Sequence, residues 1–325
     1  YKDCEVIIDY TSGSKAMTMA ASIVATQKMK KLIFVDGPKN EKGNIIHGKE
    51  ELKIQNLENV QDKVKLDKFK DLFNNNRFEA AHNEVYNLNM AKNEDKNSEI
   101  KILNYLFLSK TYAFWDKFNH DLAGKFFKTG YYQTFGSMKD QLKRNNKALN
   151  IINDSNNTNL KYLYILASMI NNAKRRCGEN KFDDAIARLY RALELISQID
   201  LYRYGLNTSD INPMNIKKIS PEAYNFIFPK LISDYQGKCT TRGLDNNYVL
   251  IHMLNHYDEV GIYYKENRTK IMRIISHRNN SILAHGLKNK TIKDYKLFEE
   301  IVVELALKLD EKMGEYLKDT KFPKF

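Results

Sequence analysis

Apolar residues are spaced in two ways along the chain. In the first stretch they form short unbroken runs. Residues 5–8 read Glu-Val-Ile-Ile and end in Asp9, too short for a helix and apolar on both faces, which predicts a buried parallel strand. Residues 16–30, rich in Ala and Met, predict a helix, and residues 31–35 a second strand closed by the turn Asp36-Gly37-Pro38. The order is one βαβ unit, with residues 43–48 as a small extension or hairpin. A single βαβ unit does not make a stable sheet, so the strands completing a doubly wound sheet are expected upstream of Tyr1 or from elsewhere.

Beyond Leu57 the spacing shifts to the helical period. Helices are predicted over residues 60–74, 77–89, 100–118 (with the single Trp115), 121–129 and 138–151. The run Asn-Asp-Ser-Asn-Asn-Thr-Asn at 153–159 marks a linker. Further helices follow over 160–176, 181–201, 246–258, 265–277 and 291–317, with Ser220-Pro221-Glu222 opening another. In the 181–201 helix, Ile186, Leu189, Tyr190, Leu193 and Ile196 fall at core spacing. Asn76-Arg77-Phe78-Glu79-Ala80-Ala81 and Lys181-Phe182-Asp183-Asp184-Ala185-Ile186 resemble helix-pair openings, without a strict repeat period. The fold class expected is therefore mixed: an α/β portion over 1–57, a helical connecting domain over 58–158 and a helical domain over 159–325.

Composition narrows the classes. A hydrophobic share of 42% in 325 residues is that of a folded protein with a sizeable core. Its longest apolar stretches, such as 162–170, fall short of a membrane span, and no secretory leader is read at Tyr1. Cys4, Cys177 and Cys239 are far apart and make no metal-ligand spacing, so they are expected as reduced thiols in a cytoplasmic protein. The net charge of +12 fits either a polyanionic partner or a Lys- and Asn-rich composition.

Two stretches carry chemistry. Tyr10-Thr11-Ser12-Gly13-Ser14-Lys15 lies between the carboxyl end of a strand and the start of a helix, where backbone N–H groups, hydroxyls and a lysine favour an anionic ligand. It lacks the Walker glycine spacing. The second stretch is Arg278-Asn279-Asn280-Ser281-Ile282-Leu283-Ala284-His285, at the junction of two helices. Arg offers a fixed fork of donors to phosphate, and His exchanges protons near neutral pH. Arg188, Arg191 and Glu194 sit three apart, as site support or as a solvated, ion-paired face. His252 and His256 are at i, i+4, as part of a metal site or as packed side chains, with no third ligand evident. No Ser/His/Asp, His-Glu-x-x-His or paired-Cys pattern occurs.

Asp9-x-Thr11-x-Gly13-Ser14-Lys15-x-Met17 resembles the ligand loop of CRISPR-associated Rossmann-fold (CARF) domains. Arg278-x6-His285 resembles the catalytic signature of HEPN ribonucleases, and residues 187–194 resemble a HEPN helix. Together they resemble the CARF–HEPN effectors of type III CRISPR systems, the Csm/Csx-type accessory ribonucleases. The family loop more often has Thr at Ser14 and a second Gly at Ser12, and Ser keeps the hydroxyl. The resemblance implies a homodimer activated by a cyclic oligoadenylate held by Asp9, Thr11, Ser12, Gly13, Ser14 and Lys15. It implies cleavage of single-stranded RNA without a metal or cofactor, by Arg278, Asn279 and His285. The alternative is a non-catalytic nucleotide-sensing or RNA-binding helical scaffold.

Overall fold

The computed structural model describes residues 6–28, 30–55, 58–86, 88, 96–130, 135–154, 156–241, 243–279 and 289–325. They form two compact units, 1–110 and 111–325. The fold is mostly helical, with a small mixed sheet near the N-terminal end.

In the first unit, β1 (Ile7–Asp9), α1 (Lys15–Gln27) and β2 (Lys31–Asp36) form the expected βαβ unit, with β1 and β2 parallel. The third strand comes from within the chain. β3 (Glu51–Gln55) pairs antiparallel with β2, giving the order β1-β2-β3. Residues 39 and 45 bridge in the predicted extension. The expectation of a buried β1 is corrected: Ile7 is 46% exposed, because β1 is a sheet edge with β2 alone beside it among the described residues. α2 (Glu58–Asn74) and α3 (Phe78–Tyr86) pack as a hairpin. Their contact is aromatic: Phe73 meets Phe78 edge-on at 5.1 Å, and Phe69 meets Tyr105 of α4 (Lys96–Asp116) at 4.9 Å.

In the second unit, α5 (His120–Thr129), α6 (Lys139–Asp154), α7 (Thr158–Gly178) and α8 (Phe182–Arg203) follow in turn. Asn119 caps α5 and Asn157 caps α7 through their side-chain oxygens. Next come α9 (Pro213–Ile219), which the apolar pattern did not reveal, and α10 (Pro221–Ile227), capped by Ser220 as its opening predicts. A hairpin of β4 (Leu231–Ser233) and β5 (Cys239–Thr241) departs from the all-helical expectation; three-residue strands are too short to show an alternation. α11 (Leu244–Leu254), α12 (Glu259–Asn279), α13 (Ile292–Leu309) and α14 (Met313–Asp319) complete the unit.

The predicted helix over 291–317 is two helices. Asp310 leaves the helical region (φ −153°, ψ 124°) and its carboxylate accepts from the Lys312 amide at 2.9 Å. This local bond competes with helix continuation. α7 and α8 form the central pair, with α11 and α13 against α8. Ile186, Leu189, Leu193 and Ile196 are fully buried as predicted. Tyr190 is the exception, half-buried at the rim.

Residues 313–325 are held tightly. The buried Asp319 carboxylate accepts from Arg144 (3.2 Å), Lys147 (2.9 Å) and the Tyr164 hydroxyl (2.8 Å). Asn145 and Gln141 of α6 donate to the carbonyls of Asp319 and Lys318. Phe322 lies between Tyr112, Trp115 and the Arg175 guanidinium, 3.6 Å above its ring.

Candidate active site

The two predicted stretches lie in different units, and each has a defined geometry. In the first, the Asp9 carboxylate accepts from the Thr11 amide (2.8 Å) and hydroxyl (2.5 Å). These bonds hold the Asp9 carboxyl below its usual range. The Thr11 hydroxyl accepts from the Val35 amide at the end of β2, at 2.8 Å. Ser14 caps α1 by accepting from the Met17 amide at 3.3 Å. Gly13, at φ 118°, makes the turn into the helix in a region a Cβ disfavours. Asp9, Thr11, Gly13 and Ser14 thus build the loop, while Ser12 and Lys15 are exposed at its mouth.

In the second, α12 ends at Arg278 and Asn279. The guanidinium carbon of Arg278 stands 4.3 Å from the centre of the Tyr190 ring on α8. Its Nη1 donates to Asn279 Oδ1 at 3.2 Å. Among the described residues no carboxylate lies within salt-bridge distance of this guanidinium. His285 falls outside the described residues. The two edges of the intervening segment are tied down. Lys290 Nζ donates to the His277 carbonyl at 2.5 Å, and the Lys290 amide donates to Asp183 of α8 at 3.2 Å. Thr291 and Asp294 then form a reciprocal capping box that starts α13. A cavity of about 20 Å³ lies behind Arg278, lined by Ile186, Ile274, Lys290 and Phe298 among others, about the room one water needs.

The residues offered as site support divide. Arg188 pairs with Asp184 one turn earlier, and Arg191 with Gln198 (3.0 and 3.1 Å) and Glu194 (3.5 Å). Both are committed to their own helix. Glu194 lies 3.5 Å from Arg191 on the same helix and one turn beyond Tyr190, whose hydroxyl burial and the Glu194 charge together hold above its usual range. Helical spacing placed Tyr190 in the core. The signal that could have moved it to the site is its place between Arg188, Arg191 and Glu194. His252 and His256 meet ring to edge at 5.1 Å, and Lys265 Nζ lies 3.1 Å from His252 Nε2. An ammonium on that nitrogen favours the packing reading. Among the described residues no cluster of three His, Cys, Asp or Glu offers a metal site.

With the geometry in place, comparison with known proteins decides the family. Residues 154–309 match the Csm6 HEPN domain family and residues 61–161 the Csm6 6H domain family. The chain belongs to the Csm6 family. A 6H domain is followed by a HEPN domain, and the HEPN range contains Tyr190, Glu194, Arg278, Asn279 and His285. Among solved structures, the chain is similar to Enterococcus italicus Csm6 bound to cyclic hexa-2'-fluoro-hexa-dAMP. The identity is 14% and the TM-score 0.54, over 99% of this chain and 74% of that one. At that identity the likeness shows the fold. No curated protein matches the chain. Among the described residues, no helix of this Csm6-family chain is long and apolar enough to cross a membrane.

Proposed function

We propose that this Csm6-family chain is a cyclic-oligoadenylate-activated, metal-independent endoribonuclease for single-stranded RNA, acting in type III CRISPR antiviral defence. The reading divides the chain into a ligand-sensing portion (1–57), a connecting helical domain (58–158) and a catalytic domain (159–325). The observation that carries it is Arg278: inside the Csm6 HEPN range, a guanidinium without a carboxylate partner among the described residues ends α12 seven residues before a histidine.

Two chains pair so that two Arg278–His285 sets face one composite site. The RNA 2′-hydroxyl attacks the adjacent phosphorus and the bond to the 5′-oxygen breaks. The products are a 2′,3′-cyclic phosphate and a 5′-hydroxyl. His285 takes or supplies the proton. Arg278 neutralises charge gathering on the phosphorane oxygens. Asn279 steers one edge of the guanidinium through the 3.2 Å bond. The activator sits on the loop Asp9, Thr11, Ser12, Gly13, Ser14 and Lys15. Exposed Ser12 and Lys15 face its phosphates, and the Asp9–Thr11 bonds hold the loop in shape.

The test is cleavage of a labelled single-stranded RNA with a panel of cyclic tri-, tetra- and hexa-adenylate, in EDTA. One ring is expected to switch cleavage on, and His285→Ala to abolish it with folding and dimerisation intact. Turnover by His285→Ala at the parent rate would remove that residue from the chemistry. Strict dependence on a divalent ion would contradict the scheme. Ligand binding without turnover under any condition would favour a non-catalytic sensor.

A further inference from the structure

We propose that Tyr190 is the positioning residue for Arg278, a flat support that leaves the guanidinium fully charged with its N–H edge open to phosphate; this rests on the ribonuclease reading above. Several arginines of the second unit make an instructive contrast. Arg268 grips Asp245 with two bonds of 2.7 Å. Arg175 and Arg176 share Asp116, and Arg188 takes Asp184. Each of these is neutralised by a carboxylate that fills part of its donor fork. A phosphate would have to displace that carboxylate first.

Arg278 is held differently. Its guanidinium faces the Tyr190 ring at 4.3 Å. The attraction is between a cation and the negative face of the ring, and it uses none of the in-plane N–H donors. One of those donors is taken by Asn279, and the rest of the fork is left for an anion. The support is itself fixed. Tyr190 stands on α8 between the fully buried Leu189 and Leu193, which anchor its backbone in the core. An arginine carried by the last turn of a helix and pinned on one face loses orientational freedom before substrate arrives, the form of preorganisation that raises turnover.

The experiment compares Tyr190→Leu, which removes the ring, with Tyr190→Phe, which keeps it, in the full chain with the activating cyclic adenylate. Tyr190→Leu is expected to lower kcat about tenfold with KM little changed. Tyr190→Phe is expected to stay within about threefold of the parent. Tyr190→Gln is a second ring-less variant should Leu unfold the helix, read from the melting temperature. A second readout does not depend on activity. The Arg278 Nε–H resonance, shifted by the ring above which it sits, is expected to move to an ordinary arginine position in Tyr190→Leu and to stay in Tyr190→Phe. Parent-like turnover by Tyr190→Leu would overturn the positioning role and leave the ribonuclease reading standing. Equal losses in Leu and Phe would transfer the role to the hydroxyl and overturn it too. A parent protein that cleaves no RNA with any cyclic adenylate would sink the ribonuclease reading, and the positioning role with it.

Discussion

Asp200 on α8 is 1% exposed, and neither of its oxygens finds a hydrogen-bond donor among the described residues. Burial pushes its carboxyl up to about 7, and the neighbouring Asp258 adds to the rise, while Arg203 opposes it. Asp258 is held in place by the Tyr204 hydroxyl (2.8 Å) and the Gly261 amide (2.9 Å). In the unfolded chain such a carboxyl titrates near about 3.9. Between those two values the folded chain holds the extra proton, so stability falls as pH rises from about 4 to about 7 and is level above that. Asp200→Asn is expected to melt higher than the parent at pH 8 and close to it at pH 5, by calorimetry in matched buffers. An equal shift at both would exclude titration as the cause. At this scale the sequence was readable where chemistry is local, as in Arg278 beside Asn279. It was unreadable where a partner comes from another helix, as with Tyr190 beneath Arg278 or Asp258 beside Asp200.

Helix stops explain why two openings look alike. Asn76, Phe118, Asn180 and Gly205 all have φ of 60–70°. At each, the amide of the residue after the stop bonds to the carbonyl five positions before it and the stop's own amide to the carbonyl three before it, the paired bonds of a left-handed helix ending. Asn tolerates that backbone region and Gly favours it. The helix-pair resemblance at 76–81 and 181–186 thus reflects a shared way of ending one helix and starting the next, not a repeat. Spacing made most helices legible, but not the break at Asp310, where one side chain competes with the backbone. Nor did it show how closely helices cross. A Cβ on Gly261 would come within 2.8 Å of the His252 Cα and 2.9 Å of its N, so α11 and α12 touch backbone to backbone there. Gly261→Ala is expected to cost about 2 kcal/mol. Gly314→Ala, which meets nothing within 4 Å on α14, is expected to be neutral or slightly stabilising. Denaturant unfolding of the two variants side by side checks both, and equal midpoints would contradict the close crossing.

Over the whole molecule, the order of α/β portion and helical region was legible because the hydrophobic period changes once, near Leu57. β3 and the β4–β5 hairpin were not, because strand partners are chosen by the sheet rather than by the segment. The long-range fastening of residues 313–325 left no sequence pattern either, since its polar partners lie on α6 and α7. Burial alone would push the Asp319 carboxyl up, but the bonds from Lys147, Tyr164 and Arg144 outweigh it and hold it below the usual range. Its contribution is therefore complete above the unfolded value of about 4 and is lost as pH falls through the lower folded value. Asp319→Ala is expected to destabilise the second unit by about 2 kcal/mol at pH 7. The deficit should shrink toward pH 3, and a constant deficit across that range would assign the loss to packing instead.

The Arg144–Asp319 pair joins residues 175 positions apart, which sets a timetable for biosynthesis. α6 and α7 leave the ribosome long before the aromatic wedge at Phe322 has been translated. A nascent polypeptide bearing every residue up to Arg278 still lacks that wedge, and its slot between Tyr112, Trp115 and Arg175 stays open to water. Maturation of the second unit is consequently a late event, completed only after elongation has passed Phe322.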